Sequence, residues 1–329
     1  MRNLSINATR RECLLGAGAT LAFGVPLVAS GPALAAYPEN DRDVTFIVHA
    51  SAGGGSDIFA RTIVKVATSL NLVSRIPLVE NRVGGSGAVG YAYVAGKKGN
   101  PYFLGTIAGS FFTLPLLKRS PVGPRDFTPV AALALDPYVL SVNGKSNLHT
   151  LDDIKKKGIV ISTAMGNTGD HVILSGMLKE RLGIEIRVVP FNGSGEEMAS
   201  VLGGHSDMMW GNPTEVLPQF EVGAMRPIAV TTATRLKSLP DVPSLRELGH
   251  DIELIQLRAL VMPKDVPQEA VNYWVDVLRK VSDSEEWRTG YIDKYLVEPM
   301  FMHGDELKKR VEDTNQMYEL HLKKIGAIK

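Results

Sequence analysis

From Val44 onward the chain alternates short apolar runs with helical stretches, each change marked by glycine or proline. Val44–His49 (VTFIVH) reads as a strand, followed by the turn Gly53-Gly54-Gly55 and a helix from about Ser56 to Leu70. Ile76–Glu80, Phe103–Thr106, Gly158–Thr163, Glu185–Pro190, Asp207–Trp210 and Pro227–Thr231 read as further strands, the last one parallel and buried. Helical patterns follow most of them, and three C-terminal helices are expected over Pro267–Ser282, Ser284–Ile292 and Asp305–Ile325. This alternation demands an α/β fold with mainly parallel sheets.

Two extended segments, Val139–Val142 and Leu254–Leu260, flank a self-contained block of strands and helices. If both cross between sheets, the chain forms two lobes joined by two crossing strands. Residues 37–140 plus 258–329 then make one lobe and 141–257 the other, with a ligand cleft between them.

The turn Ala50-Ser51-Ala52-Gly53-Gly54-Gly55-Ser56-Asp57 lets the backbone approach a ligand closely. The first N–H groups of the next helix and the positive end of its dipole offer an anion site without a charged side chain. Ser56 or Asp57 would cap that helix. Similar loops recur at Thr106–Ser110, Thr163–His171, Phe191–Gly195 and Gly211–Thr214. In open α/β sheets such loops gather at the carboxyl ends of the strands, where ligands bind. A cleft lined by Gly, Ser, Thr and Asn suits a small carboxylate gripped by main-chain amides, not by cationic side chains.

Other chemistries find little support. With 36 Lys+Arg against 35 Asp+Glu, and no long basic run, nucleic acid is excluded as a partner. Gly85–Gly90 matches G-x-G-x-x-G, but the acidic residue of a dinucleotide site, about 20 positions on, is missing. There is no G-x-S-x-G or H-E-x-x-H, and no histidine pair has helical metal-ligand spacing, so no cofactor, metal or catalytic residue is assigned. Trp210 is either core or an aromatic wall of the cleft.

Residues 1–36 read as an export signal: Arg2, Arg10 and Arg11, an apolar stretch from Leu14 to Ala29, and the small-residue pattern Ala33-Leu34-Ala35. The run Thr9-Arg10-Arg11-Glu12-Cys13-Leu14-Leu15 is similar to a twin-arginine signal, although the general secretory route stays open. Cleavage near Ala36 removes three bases, one acid and Cys13, the only cysteine of the 329 residues. The mature protein is then expected to be cysteine-free and located in the periplasm.

Five stretches carry a family resemblance: Gly53–Asp57, Val79-Glu80-Asn81-Arg82-Val83-Gly84-Gly85-Ser86-Gly87, Val189–Gly193, Leu202–Asp207 and Arg226–Thr232. With Leu239-Pro240-Asp241-Val242-Pro243-Ser244-Leu245-Arg246-Glu247-Leu248-Gly249, they resemble the Bug family, the extracytoplasmic solute receptors of tripartite tricarboxylate transporters. The resemblance covers essentially the whole mature chain. It implies a monomeric, non-enzymatic, two-lobed periplasmic binding protein that closes on a small carboxylate and delivers it to membrane permease subunits. Carried over by position, the ligand-binding residues are Ala52, Gly53, Gly54, Ser56, Asp57, Ser110, Thr163, Asn167, Thr168, His171, Asn192 and Asn212. Asp57 is expected to orient the first loop more than to touch an anion.

The sequence departs from the family pattern at His49-Ala50-Ser51-Ala52, where Pro-Phe-Ala-Pro is usual, and at Leu257 and Ala259, where Trp and Gly are usual. These changes imply a ligand bulkier than a simple dicarboxylate, or one held differently. The competing class is an exported α/β enzyme using His171 or Asp57 as its base. A periplasmic sensing subunit would share the same cleft.

Overall fold

The structure, a computed structural model, describes residues 37–39, 41–155, 158–164, 169–191, 193–237 and 239–329. The expected export signal, Asn167, Thr168 and Asn192 lie outside the described residues.

The chain builds β1 (Thr45–Val48), α1 (Gly55–Ser69), β2 (Leu78–Asn81), α2 (Ala88–Ala95), β3 (Phe103–Thr106) and α3 (Gly109–Leu116), then β4 (Phe127–Pro137). After one residue, Tyr138, it continues as β5 (Val139–Asn143), α4 (Leu151–Lys155), β6 (Ile159–Thr163), α5 (Asp170–Leu182), β7 (Ile186–Pro190), α6 (Ser194–Leu202), β8 (Met208–Gly211), α7 (Pro213–Glu221) and β9 (Met225–Val230). It returns through β10 (Ile255–Pro263) and α8 (Gln268–Ser282), and ends with β11 (Glu298–His303) and the C-terminal helix Gly304–Lys324.

Two sheets result, in the orders β11-β4-β10-β3-β1-β2 and β7-β6-β8-β5-β9. Both are mixed where the sequence led us to expect mainly parallel ones. β1, β2 and β3 run parallel, as do β6, β7 and β8. The strands that carry the chain from sheet to sheet reverse direction: β10 pairs antiparallel with β3 and β4, and β5 with β8 and β9. The strand over Pro227–Thr231 is therefore an antiparallel edge. β11, in a stretch between two expected helices to which the sequence reading assigned no element, closes the other sheet against β4.

The chain changes sheet at Tyr138 and again between β9 and β10. Thr231 staples the two passages together. Its hydroxyl oxygen accepts from the Tyr138 amide (3.0 Å), its hydroxyl donates to the Leu254 carbonyl (2.7 Å), and its amide donates to the Tyr138 carbonyl (3.0 Å).

Strand alternation fixes which side chains go to which core. Phe46 and Val48 join Phe59, Ile63 and Trp274, while Ile47 faces Phe111 and Leu140. Helix α8 buries Ala270, Val271, Trp274, Val277, Leu278 and Val281, one stripe at helical spacing. Trp210, at the centre of β8, is fully buried in the core that includes Leu140 and Ile161, and donates from Nε1 to Ser175 Oγ at 3.2 Å. It is core, not cleft wall. Trp210→Ala is expected to cost roughly 3–5 kcal/mol of unfolding free energy, read from urea melts of the two proteins.

Candidate functional site

The carboxyl ends of the strands in both sheets converge on one cavity of about 480 Å³. Its walls are the β1–α1 turn (His49–Ser56), the start of α3 (Ala108–Ser110) and the α5 entry (Ala164, Gly169–His171). The α6 entry (Gly193–Glu196) and the α7 entry (Asn212, Thr214, Glu215) complete them. Tyr138, Gln256 and Arg258, all at the passages between sheets, also line it.

Of the residues expected from sequence, Ala52, Gly53, Gly54, Ser56, Ser110, His171 and Asn212 lie together on this cavity. Two do not line it. Thr163 is fully buried at the end of β6, its carbonyl accepting from the Phe191 amide at 2.8 Å. Asp57 turns back on its own loop and accepts from the Gly53 amide, Arg61 Nε and Asn81 Nδ2, each at 2.9 Å. Burial opposes ionisation of Asp57, but Arg61, the Gly53 amide and Asn81 outweigh it and hold the carboxyl below the usual range. Asn81 also donates to the Ala50 carbonyl at 2.9 Å, so Asp57 and Asn81 together set the shape of the glycine turn. The G-x-G-x-x-G stretch serves packing: it leads into α2, whose Tyr91 stacks on His49 at 4.9 Å between ring centres.

Sequence reasoning missed Arg258. Leu257 and Ala259 face the core, and strand alternation turns the arginine between them toward the cavity. Gln256 stands opposite Asp136 across the β4–β10 pair, and Arg258 opposite Ala134, which makes Arg258 and Asp136 diagonal neighbours. Nε reaches Asp136 Oδ2 at 2.8 Å, and Nη2 bonds the same oxygen. Nη1 donates to Ser56 Oγ at 3.2 Å, and Nη2 also to Asn212 Oδ1 at 3.3 Å. The signal was present: one acid and one base, each alone in an otherwise apolar strand. Burial pushes Asp136 up to about 6 even with Arg258 against it. The cavity thus contains a cation, which the expectation of a purely main-chain grip did not include.

Two further buried carboxylates shape the walls. Asp170, the first residue of α5, accepts from the hydroxyls of Tyr138 and Tyr318, and burial raises its carboxyl. His171 Nδ1 lies 3.0 Å from Glu197 Oε1. Burial pushes Glu197 up to about 7 despite that histidine. Among the described residues no group of three His, Cys, Asp or Glu side chains is placed to hold a metal ion.

A family model for the tripartite tricarboxylate transporter family receptor matches residues 63–327. The chain belongs to this receptor family. A UPF0065 protein in the TAR-I ttuE-ttuC' intergenic region of Agrobacterium vitis is 33% identical over 70% of this chain and 68% of its own length. Among solved structures, the receptor's fold is similar to that of the periplasmic binding protein BugD, with a TM-score of 0.81 at 24% identity over 88% of this chain and 99% of that one. An R. palustris protein determined with adipate has a TM-score of 0.81 at 25% identity, over 88% of this chain and 98% of that one. Among the described residues of the receptor, no helix is long and apolar enough to cross a membrane.

Two outcomes follow from the site's electrostatics. Asp136→Ala strands the buried Arg258 charge and is expected to cost about 3–5 kcal/mol, most of it recovered in the Asp136→Ala/Arg258→Met double variant. Urea unfolding of the three proteins checks this. His49, fully buried beside the Thr106 carbonyl (3.0 Å), is lowered from 6.5 to about 4, chiefly by burial. The unfolded chain therefore binds this proton first as the pH falls. Stability is intact above pH 6.5 and declines between 6.5 and about 4, by about 3 kcal/mol from this group. In His49→Gln that part of the acid loss should disappear from unfolding curves taken across the same interval.

Proposed function

We propose that this receptor captures a small carboxylate in the cavity between its two sheets and delivers it to the permease subunits of a tripartite tricarboxylate-type transporter. It acts in the periplasm after export directed by residues 1–36, of the twin-arginine type, and works as a monomer without a cofactor. The supporting observation is the convergence of the α1, α3, α5, α6 and α7 entries on one cavity, with Arg258 at its floor. The first N–H groups of a helix have no partner within it, and its dipole favours an anion there. The family match and the adipate bound to a structural relative agree with a carboxylate cargo.

In this reading the sheets form two lobes that close by bending at Tyr138 and at the segment between β9 and β10. Ligand binding biases the closed state. Ser56, Ser110, His171 and Asn212 donate to the ligand beside the Ala52 amide, while Gly53 and Gly54, whose amides bond Asp57 and the Ser51 carbonyl, let the turn approach it closely. The family resemblance adds Asn167, Thr168 and Asn192 as ligand residues, Thr163 supports the end of β6, and Asp57 holds the first turn in shape.

The enzyme alternative loses one of its two bases, since Asp57 is committed to Gly53, Arg61 and Asn81. His171, beside Glu197, is the base that remains. A thermal-shift screen of mono-, di- and tricarboxylic and aromatic acids, followed by mass spectrometry of the bound fraction, tests the reading. A cognate acid at a hundred times its Kd should stabilise the fold by about 2.7 kcal/mol and be recovered unchanged. Conversion of the bound acid would make the protein an enzyme. No stabilisation by any acid would remove the carboxylate assignment.

A further inference from the structure

The charges around the cavity are unevenly placed. At the α1 end, Arg258 Nη1 bonds Ser56 Oγ, and the first-turn amides of Gly55 and Ser56 face the same region. Thr214 lines this end as well. The residue is only 6% exposed, and its Oγ1 has no hydrogen-bond partner among the described residues. That hydroxyl lies 3.3 Å from where a Cβ on Gly55 would stand, so it is aimed at the start of α1. A buried, unpartnered hydroxyl costs free energy unless something binds it. Here the group placed to do so is a carboxylate on the α1 amides.

The α3 end differs. A Cβ on Gly109 would overlap the Asp170 carboxylate, so that side chain is packed directly against the first residue of α3. The nearby hydroxyls of Tyr138 and Tyr318 are spent on the same carboxylate. The chain's own acid thus fills the position where a helix start would attract a ligand anion. Glu196 adds an acid to the lining, while Glu215 accepts from the Asn212 amide at 3.3 Å on the Arg258 side. The sole Lys or Arg among the described lining residues is Arg258, already neutralised by Asp136.

We infer that the cavity selects a monocarboxylate carrying a hydrogen-bond donor at its far end: carboxylate on α1, Thr214 and Arg258, donor toward Asp170 and Glu196. A second carboxylate at that end meets Asp170 and Glu196, while the imidazole of His171 is already held 3.0 Å from Glu197, and like charges brought together in a half-buried site oppose binding. An ammonium, hydroxyl or amide meets acceptors. This specificity rests on the carboxylate-receptor reading, which fixes the site but not the chemistry of the ligand's other end.

The test is calorimetric titration of the purified protein with two matched series. One is adipate, 6-aminohexanoate, 6-hydroxyhexanoate and hexanoate; the other is succinate, 4-aminobutanoate, 4-hydroxybutanoate and butanoate. In the series whose length fits, the amino or hydroxy acid should bind at least about tenfold tighter than the dicarboxylate. Asp170→Ser should shift that ratio toward the dicarboxylate by about tenfold or more. Asp170→Asn removes the charge while its Oδ1 accepts from one tyrosine and its Nδ2 donates to the hydroxyl oxygen of the other, and should shift it the same way if the serine variant does not fold. Dicarboxylates binding tightest to the unmodified protein would overturn the inference and leave the receptor reading standing, as would a ratio unmoved by either substitution. Failure of every acid in both series to bind would overturn both.

Discussion

The ion pair between Arg258 and Asp136 is the constraint around which the cavity is built. Both side chains are essentially out of solvent. Burying two charges is costly unless their geometry is good and their remaining hydrogen-bonding capacity is used. Arg258 meets that condition by also bonding Ser56 at the start of α1 and Asn212 before α7. One guanidinium therefore connects β4, β10 and the entries of two helices that follow strands of different sheets. It also explains why the third glycine of the turn must be glycine, since a Cβ on Gly55 would overlap the guanidinium. Close approach, more than backbone freedom, is what that position requires.

The cavity floor and the passages between sheets share a single polar network. Tyr138, the one residue between β4 and β5, contacts Asp170 through its hydroxyl and lies 3.0 Å from Gln256 Oε1. Its backbone is held by Thr231, which also bonds the Leu254 carbonyl just before β10. Buried polar networks of this kind set a particular arrangement because each member left unpaired is costly. Movement of the sheets about Tyr138 would act on the same hydrogen bonds that position Asp170 against α3.

The legibility of this architecture in the sequence follows from which interactions are local. The β1–α1 turn could be read because its glycines, the preceding apolar run and the helix start are adjacent in the chain. The same holds for the loops at Ser110, His171 and Asn212, which the structure brings together. Arg258 and Asp136 are 122 positions apart, and only the β4–β10 register shows that they are diagonal neighbours. A period-based reading treats a single charge in Gln256–Met262 as noise in an apolar run. β11 was hidden for a related reason. Glu298–His303 is only partly buried and shows no clear alternation, and its strand character comes from pairing with β4.

Asp170 lies in a loop that the sequence singles out, Thr163–His171, yet its role there is not legible from the sequence. It follows a strand and opens a helix, which marks it as a helix-start acid, a position favoured by the dipole of its own helix. What sequence could not supply is the second helix it faces, since α3 begins some sixty residues earlier and reaches Asp170 only through the packing of one sheet against the other. An acid serving two helix starts removes one anion position from the cavity. In the proposed reading, then, the loops at the strand ends fix where a carboxylate sits, while the side chains packed between them decide what the rest of the ligand must be.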